Sequence, residues 1–331
     1  MTASNRRIHP RPYFFEWFTL ANLVLAIVFL RADRGFEVAT NVNLAVNLVI
    51  HTCVSVAIRG AVARYRGERE YFRIVRSIGW ITDTLRIIIS ATLVVFVYGW
   101  IKLVVPLHHP RLFDQELWNL DQTMLFGVSP NILVLDLFSN RALLRVIDWS
   151  YAYIFVASFV ILMGYFLAEP SRRLRVAFTS GNSLMWIAGA WLYLLIPSLG
   201  PAYRFPDVYF AYADALKRTQ YLQALLMRNY QNVIRVASHR PATAPISIMF
   251  GIGAFPSLHV GLQTFAFFWM RKLWTAGEVL FAIFVFVILL GSLMTGWHYL
   301  IDGLAGFALG WLAYTVFARR ARVDRWLTLR K

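Results

Sequence analysis

Long apolar runs alternate with short basic segments along this chain. A helix needs roughly 20 apolar residues to cross a bilayer core about 30 Å thick. The pattern predicts eight membrane-spanning helices, at 14–31, 38–58, 82–105, 146–168, 176–197, 256–274, 277–296 and 298–318. The fold class expected is all-α, a polytopic membrane helical bundle. The second run is interrupted by Asn41, Asn43, Asn47 and His51. Its other reading is an amphipathic helix lying on the surface. Arg6, Arg7 and Arg11 precede the first run, in the order of a signal peptide. Arg31, Ala32, Asp33 and Arg34 follow it in place of a small-x-small cleavage site, so a retained span is expected.

Well over half of the 33 Lys and Arg residues fall in 1–13, 59–81, 169–175, the 271–276 turn and 319–331. The positive-inside rule makes that face cytoplasmic, with both termini inside. Two long segments are then left on the outer face, 106–145 and 198–255. In the first, Phe113 to Phe138 mixes Leu117, Leu120, Met124, Leu125 and Phe126 with Asp114, Asp121 and Asp136, and Gly127 and Pro130 break it. It reads as two short interfacial helices packed over the bundle. In the second, turn signals at 197–206 and 251–256 bracket a helical stretch at 208–237. The spacing of Leu222, Leu225, Leu226 and Val233 favours an ordered cap.

Composition narrows the class. The chain is 59% hydrophobic and 15% charged, which excludes an ordinary soluble domain. The net charge of +16 would suggest nucleic acid in a soluble protein. Here the basic residues sit between apolar runs, so they report topology and no nucleic-acid partner is expected. Cys53 is the single cysteine, which excludes an internal disulfide and a multi-cysteine zinc site.

The candidate chemistry lies at the outer ends of the last three spans. His259 stands in Phe-Pro-Ser-Leu-His-Val (255–260), and His298 and Asp302 in Thr-Gly-Trp-His-Tyr-Leu-Ile-Asp-Gly (295–303). Residues four apart on a helix share a face, with Cβ atoms about 5–6 Å apart. A carboxylate so placed can hold one imidazole nitrogen and leave the other free as a nucleophile. An ionisable residue inside an apolar span normally marks a site. The same three residues are also zinc-ligand types, although no fourth ligand is evident.

Pro256-Ser257-Leu258-His259 and Gly296-Trp297-His298-Tyr299-Leu300-Ile301-Asp302 resemble the second and third signature motifs of the type 2 phosphatidic acid phosphatase superfamily. Within it the chain is most similar to the branch of inositol phosphorylceramide synthases, whose Pro-rich aromatic first motif resembles Gly200-Pro201-Ala202-Tyr203. The resemblance implies a six-helix catalytic core within 77–331, carrying the outer segments 106–145 and 198–255. Residues 1–76 would be an N-terminal two-helix addition.

It also implies a mechanism. His298, oriented by Asp302, would attack phosphorus and form a phosphohistidine. His259 would act as general acid and then as general base. The substrate would be a lipid-linked phosphate and the acceptor an alcohol or water, within membrane lipid. No metal or other cofactor is needed if fixed donors stabilise the phosphoryl charge. The donors expected are Arg204, Tyr203, Ser257 and the backbone near Gly251 and Gly253. Two cations of the superfamily's common motifs are missing from their usual places. Arg240-Pro241 is preceded at the Lys position by Val233, and Ser292 stands where an Arg is usual.

Three functions stay open on the sequence. The first is a phosphotransferase, and the second a lipid phosphatase releasing phosphate from phosphatidic acid or a polyprenyl (pyro)phosphate. The third is a transporter that uses His–Asp protonation, although the inverted repeats such a protein would carry are not visible. An outward site suits a bacterial inner membrane, facing the periplasm.

Overall fold

A computed structural model describes residues 7–30, 36–37 and 39–318. The basic segment 319–331, Arg6 and the 31–34 junction lie outside the described residues. The eight anticipated helices form at the expected places: α1 (Phe14–Phe29), α2 (Ala39–Tyr65), α4 (Ile78–His108), α7 (Arg141–Leu167), α8 (Arg172–Leu195), α12 (Leu258–Leu273), α13 (Thr275–Met294) and α14 (Leu300–Ala318). Shorter helices join them: α3 (Arg69–Val75), α5 (Asp114–Met124), α6 (Pro130–Leu137), α9 (Pro201–Arg204), α10 (Asp207–Phe210) and α11 (Lys217–Ala237). Two strands of two residues, β1 (Phe36–Glu37) and β2 (Ile246–Ser247), pair in parallel.

Helices α2, α4, α7, α13 and α14 are long and apolar enough to cross a membrane, which marks an integral membrane protein. The other three fall short for physical reasons. Helices α1 and α12 have 16 residues each. Helix α8 has 24 but begins with Arg172, Arg173 and Arg175 and buries Thr179, Ser180, Asn182 and Ser183. Helices α8 and α12 face protein more than lipid, and polar contacts join them to their neighbours; Gln263 of α12, for example, donates to Ser158 Oγ of α7 at 2.5 Å.

Helix α12 lies at the centre, against α13 and α14 and touching α7 and α8. Helix α4 runs along α8, and α1 lies across both. Helix α2 packs on α4 and α7. The first helix is tied to α4 by polar contacts: Tyr13 Oη donates to Asp83 at 2.8 Å, and Arg86 pairs with Glu16. Helices α5, α6 and α9–α11 gather where α12 and α14 begin, which is termed the site end below.

Three expectations change. Helix α2 continues to Tyr65, so Arg59 and Arg64 belong to the helix rather than to a loop. The stretch 208–237 is two helices, α10 and α11, with a break between them. Asp148 of α7 closes the start of α11 by accepting from the backbone of Arg218 at 3.0 Å and Thr219 at 2.9 Å. The inward face of α11 is also more polar than its leucines suggested. Leu222 is exposed, while Asn229, Asn232 and Val233 are buried. Asn229 exchanges hydrogen bonds with Ser247 and donates to Phe250 O; Asn232 holds Thr243 and Ala244. Two amides thus pin the segment that leads into α12.

Candidate active site

Helix α12 starts at Ser257, whose Oγ accepts from Val260 N at 3.4 Å as an N-cap. His259 lies in the first turn, its ring against Phe155 and Tyr151 of α7 at 4.4 and 5.5 Å between centroids. Helix α14 comes very close to this turn. A Cβ added at Gly306 would stand 2.1 Å from the Ser257 carbonyl oxygen, so only glycine lets the two backbones meet. Ser257 N donates to Asp302 O at 2.9 Å, joining the two motifs directly.

His298 is not on the helix that carries Asp302. It sits in the turn between α13 and α14, after Gly296, whose φ is +73°. The backbone amides of Trp297 and His298 donate back to Ser292 O at 3.0 and 3.3 Å. Asp302 is at the third position of α14 and reaches back to Tyr299 N at 2.9 Å, the reciprocal half of a capping box. Its carboxylate still lies 3.4 Å from His298 Nδ1. A nearer acceptor shares that nitrogen, the Ala254 carbonyl at 2.9 Å. A carbonyl and a carboxylate both call for a proton on Nδ1, which fixes the tautomer and leaves the lone pair on Nε2. That lone pair faces His259 Nδ1 at 3.3 Å.

The carboxylate therefore flanks one nitrogen of His298 while His259 flanks the other. The three groups do not converge on one point as metal ligands would. Among the described residues no set of three or more His, Cys, Asp or Glu is arranged for a metal ion.

The turn is held from outside by α5 and α6. Asp121 accepts from Leu300 N at 2.6 Å and Ile301 N at 2.8 Å, closing the start of α14. Asp114 accepts from Gly200 N at 2.8 Å, from Leu199 N and from the Tyr299 hydroxyl at 2.8 Å. Asn131, at the start of α6, donates to Leu293 O and to His298 O at 3.0 and 3.1 Å. Burial pushes the Asp114 carboxyl above its usual range and the Asp121 carboxyl up to about 6.

A family model described as the PAP2 superfamily matches residues 115–316. The chain belongs to the PAP2 superfamily. No curated protein and no solved structure matches it. Members of the PAP2 superfamily are phosphatases acting on phosphate esters. The matched segment takes in Asp121, Asn131, His259, His298 and Asp302 and leaves out α1 to α4.

The anion donors expected of a PAP2 protein are placed unevenly. Arg204 is exposed, with its guanidinium 5.9 Å from the centre of the Phe205 ring, and its charge acts on Asp114. Tyr203 donates its hydroxyl to Gln223 O at 3.1 Å. The Ser257 hydroxyl is fully buried in its capping bond. Gly253 packs on the Tyr193 ring, one residue before the carbonyl that holds His298. Ser292, at the position of a missing arginine, is also fully buried and serves the turn through its backbone.

Proposed function

We propose that this PAP2 protein is a membrane phosphotransferase of the inositol phosphorylceramide synthase-like branch, acting on a lipid-linked phosphate. The observation that carries the reading is the His298 ring, held through Nδ1 with its Nε2 lone pair turned to His259 Nδ1 at 3.3 Å. A phosphate ester that takes the place of this contact meets Nε2 at phosphorus. The P–Nε2 bond forms as the ester P–O bond breaks, and the leaving oxygen takes a proton from the His259 imidazolium. His259, now neutral, accepts the proton of an incoming hydroxyl. That oxygen attacks the phosphohistidine and releases His298. Asp302 faces the side of His298 on which positive charge develops during attack.

An alcohol acceptor makes the protein a transferase, and water makes it a lipid phosphatase. The phosphatase reading is the second one, supported by the family's activity on phosphate esters. In both, the basic segments face the cytoplasm and the site end faces outward, by the positive-inside rule. Residues 1–76 act as an addition to the catalytic core 77–331, with Tyr203, Arg204, Ser257 and Gly253 near the phosphate.

The test uses purified protein in detergent, with His298→Ala as control. Phosphatidic acid, a polyprenyl pyrophosphate and phosphatidylinositol are supplied singly, with and without ceramide or diacylglycerol. A lipid product that needs both the alcohol and His298 supports the transferase. Free phosphate that needs His298 but no alcohol replaces it with the phosphatase. Full turnover by His298→Ala overturns both.

A further inference from the structure

Lys102 stands on α4, outside the segment that matches the family. Its Nζ donates to the Tyr98 hydroxyl at 3.1 Å and lies 5.1 Å from the centre of the Tyr193 ring. Among the described residues it pairs with no carboxylate. An ammonium on an apolar helix without an acidic partner is the kind of group that marks a ligand path. It is half-buried, so it is neither free in solvent nor sealed in the core.

Its surroundings lead to the two histidines. The backbone at Gly251 runs along Lys102 so closely that a Cβ there would come within 2.9 Å of the Lys102 carbonyl carbon. Two residues on, Gly253 packs against Tyr193, the ring beside the ammonium. Ala254 then holds His298 through its carbonyl. Buried Asp302 lies on the far side of His298, so an arriving phosphate needs a cation opposite it.

We propose that Lys102 is the cation that holds the non-transferring phosphate oxygens of the substrate while His298 attacks. The proposal rests on the reading given under Proposed function. It assigns to α4 a task that the missing motif cations leave vacant, alongside Arg204, which is exposed. Tyr98 holds the ammonium in place until the anion arrives, and an ammonium serves here as a point charge with three donors.

The test compares wild type with Lys102→Met, Lys102→Gln, Lys102→Arg and His298→Ala. Orthovanadate is the probe. It is read as an inhibitor of turnover and, in the absence of substrate, by the rise it causes in the thermal midpoint. Losing a charged hydrogen bond should weaken orthovanadate about tenfold to a hundredfold in the Met and Gln variants. Lys102→Arg should keep most of the binding. In wild type, orthovanadate should also shield Lys102 from an amine-reactive label located by mass spectrometry, which needs no variant to fold. Unchanged vanadate binding in folded Lys102→Met, or equal labelling with and without vanadate, overturns the proposal. If His298→Ala still abolishes turnover in that case, the functional reading survives. If His298→Ala turns over normally, that reading is what fails.

Discussion

Asp121 of α5 accepts the backbone N–H of Ile301 at 2.8 Å, across 180 positions of chain. With the bond from Leu300, it supplies a negative charge to the positive end of α14 and fixes where His298 must turn. Replacing Asp121 with Ala should cost about 1–3 kcal/mol of stability, as for a lost charged cap. It should also lower kcat more than it raises KM, because His298 loses its placement. Asp121→Asn keeps an acceptor and should recover part of both. Thermal midpoints and steady-state kinetics of the two variants check this.

Asp121 also has a pH signature. Its pKa in the folded protein is about 6, above the ordinary 3.8, because burial disfavours the charged form. Between these values the folded state holds the extra proton, so its stability falls as pH rises through that window and levels off above about 6. Asp121→Asn has no such proton. The midpoint of wild type minus that of Asp121→Asn should therefore decline from pH 4 to 6 and stay flat to pH 8. A difference independent of pH would contradict the burial argument.

The close approach of α14 to α12 is testable at one atom. A methyl at Gly306 would overlap the Ser257 carbonyl. Gly306→Ala should cost about 1–3 kcal/mol as an overpacked contact and separate His259 from His298. Turnover should fall at least as much as after changes on the exposed face of the same helix, such as Leu304→Ala, which serves as control.

Asp302 shares His298 Nδ1 with the Ala254 carbonyl. Asp302→Asn leaves that carbonyl in place, so the tautomer survives and only the opposing charge is lost. The expected loss is about 10²-fold in kcat, less than the roughly 10⁴-fold seen when a lone carboxylate sets the tautomer. Steady-state kinetics beside His298→Ala measure the difference. Complete loss in Asp302→Asn would mean that the carbonyl contributes nothing.

The eight main helices and the His259, His298 and Asp302 set were legible because each is a local signal, an apolar run or a polar residue within one. The supports of the turn were not. Asp114 and Asp121 show in the sequence only as acids breaking an apolar stretch; Asp114 meets Tyr299 185 positions away, and nothing local announces it. Asn229 and Asn232 carry the inward face of α11 through hydrogen bonds, which hydrophobic spacing does not register. The spacing of His298 and Asp302 puts both on the last span, with His298 at its first position. The helix instead begins at Leu300, because the turn opened by the positive φ of Gly296 takes in His298. Lys102 reads locally as one basic residue near the end of an apolar run.

The central claim is that His298 becomes covalently phosphorylated. The most direct measurement is a rapid alkaline quench of enzyme with a cleavable lipid phosphate, followed by peptide mass spectrometry under conditions that keep phosphohistidine. The account predicts a phosphoryl group on His298 and none in His298→Ala; with an activated leaving group that needs no acid, the adduct builds up further in His259→Ala, where its breakdown lacks a base. Turnover without any phosphoryl group on His298, or with the adduct on His259 instead, would contradict it.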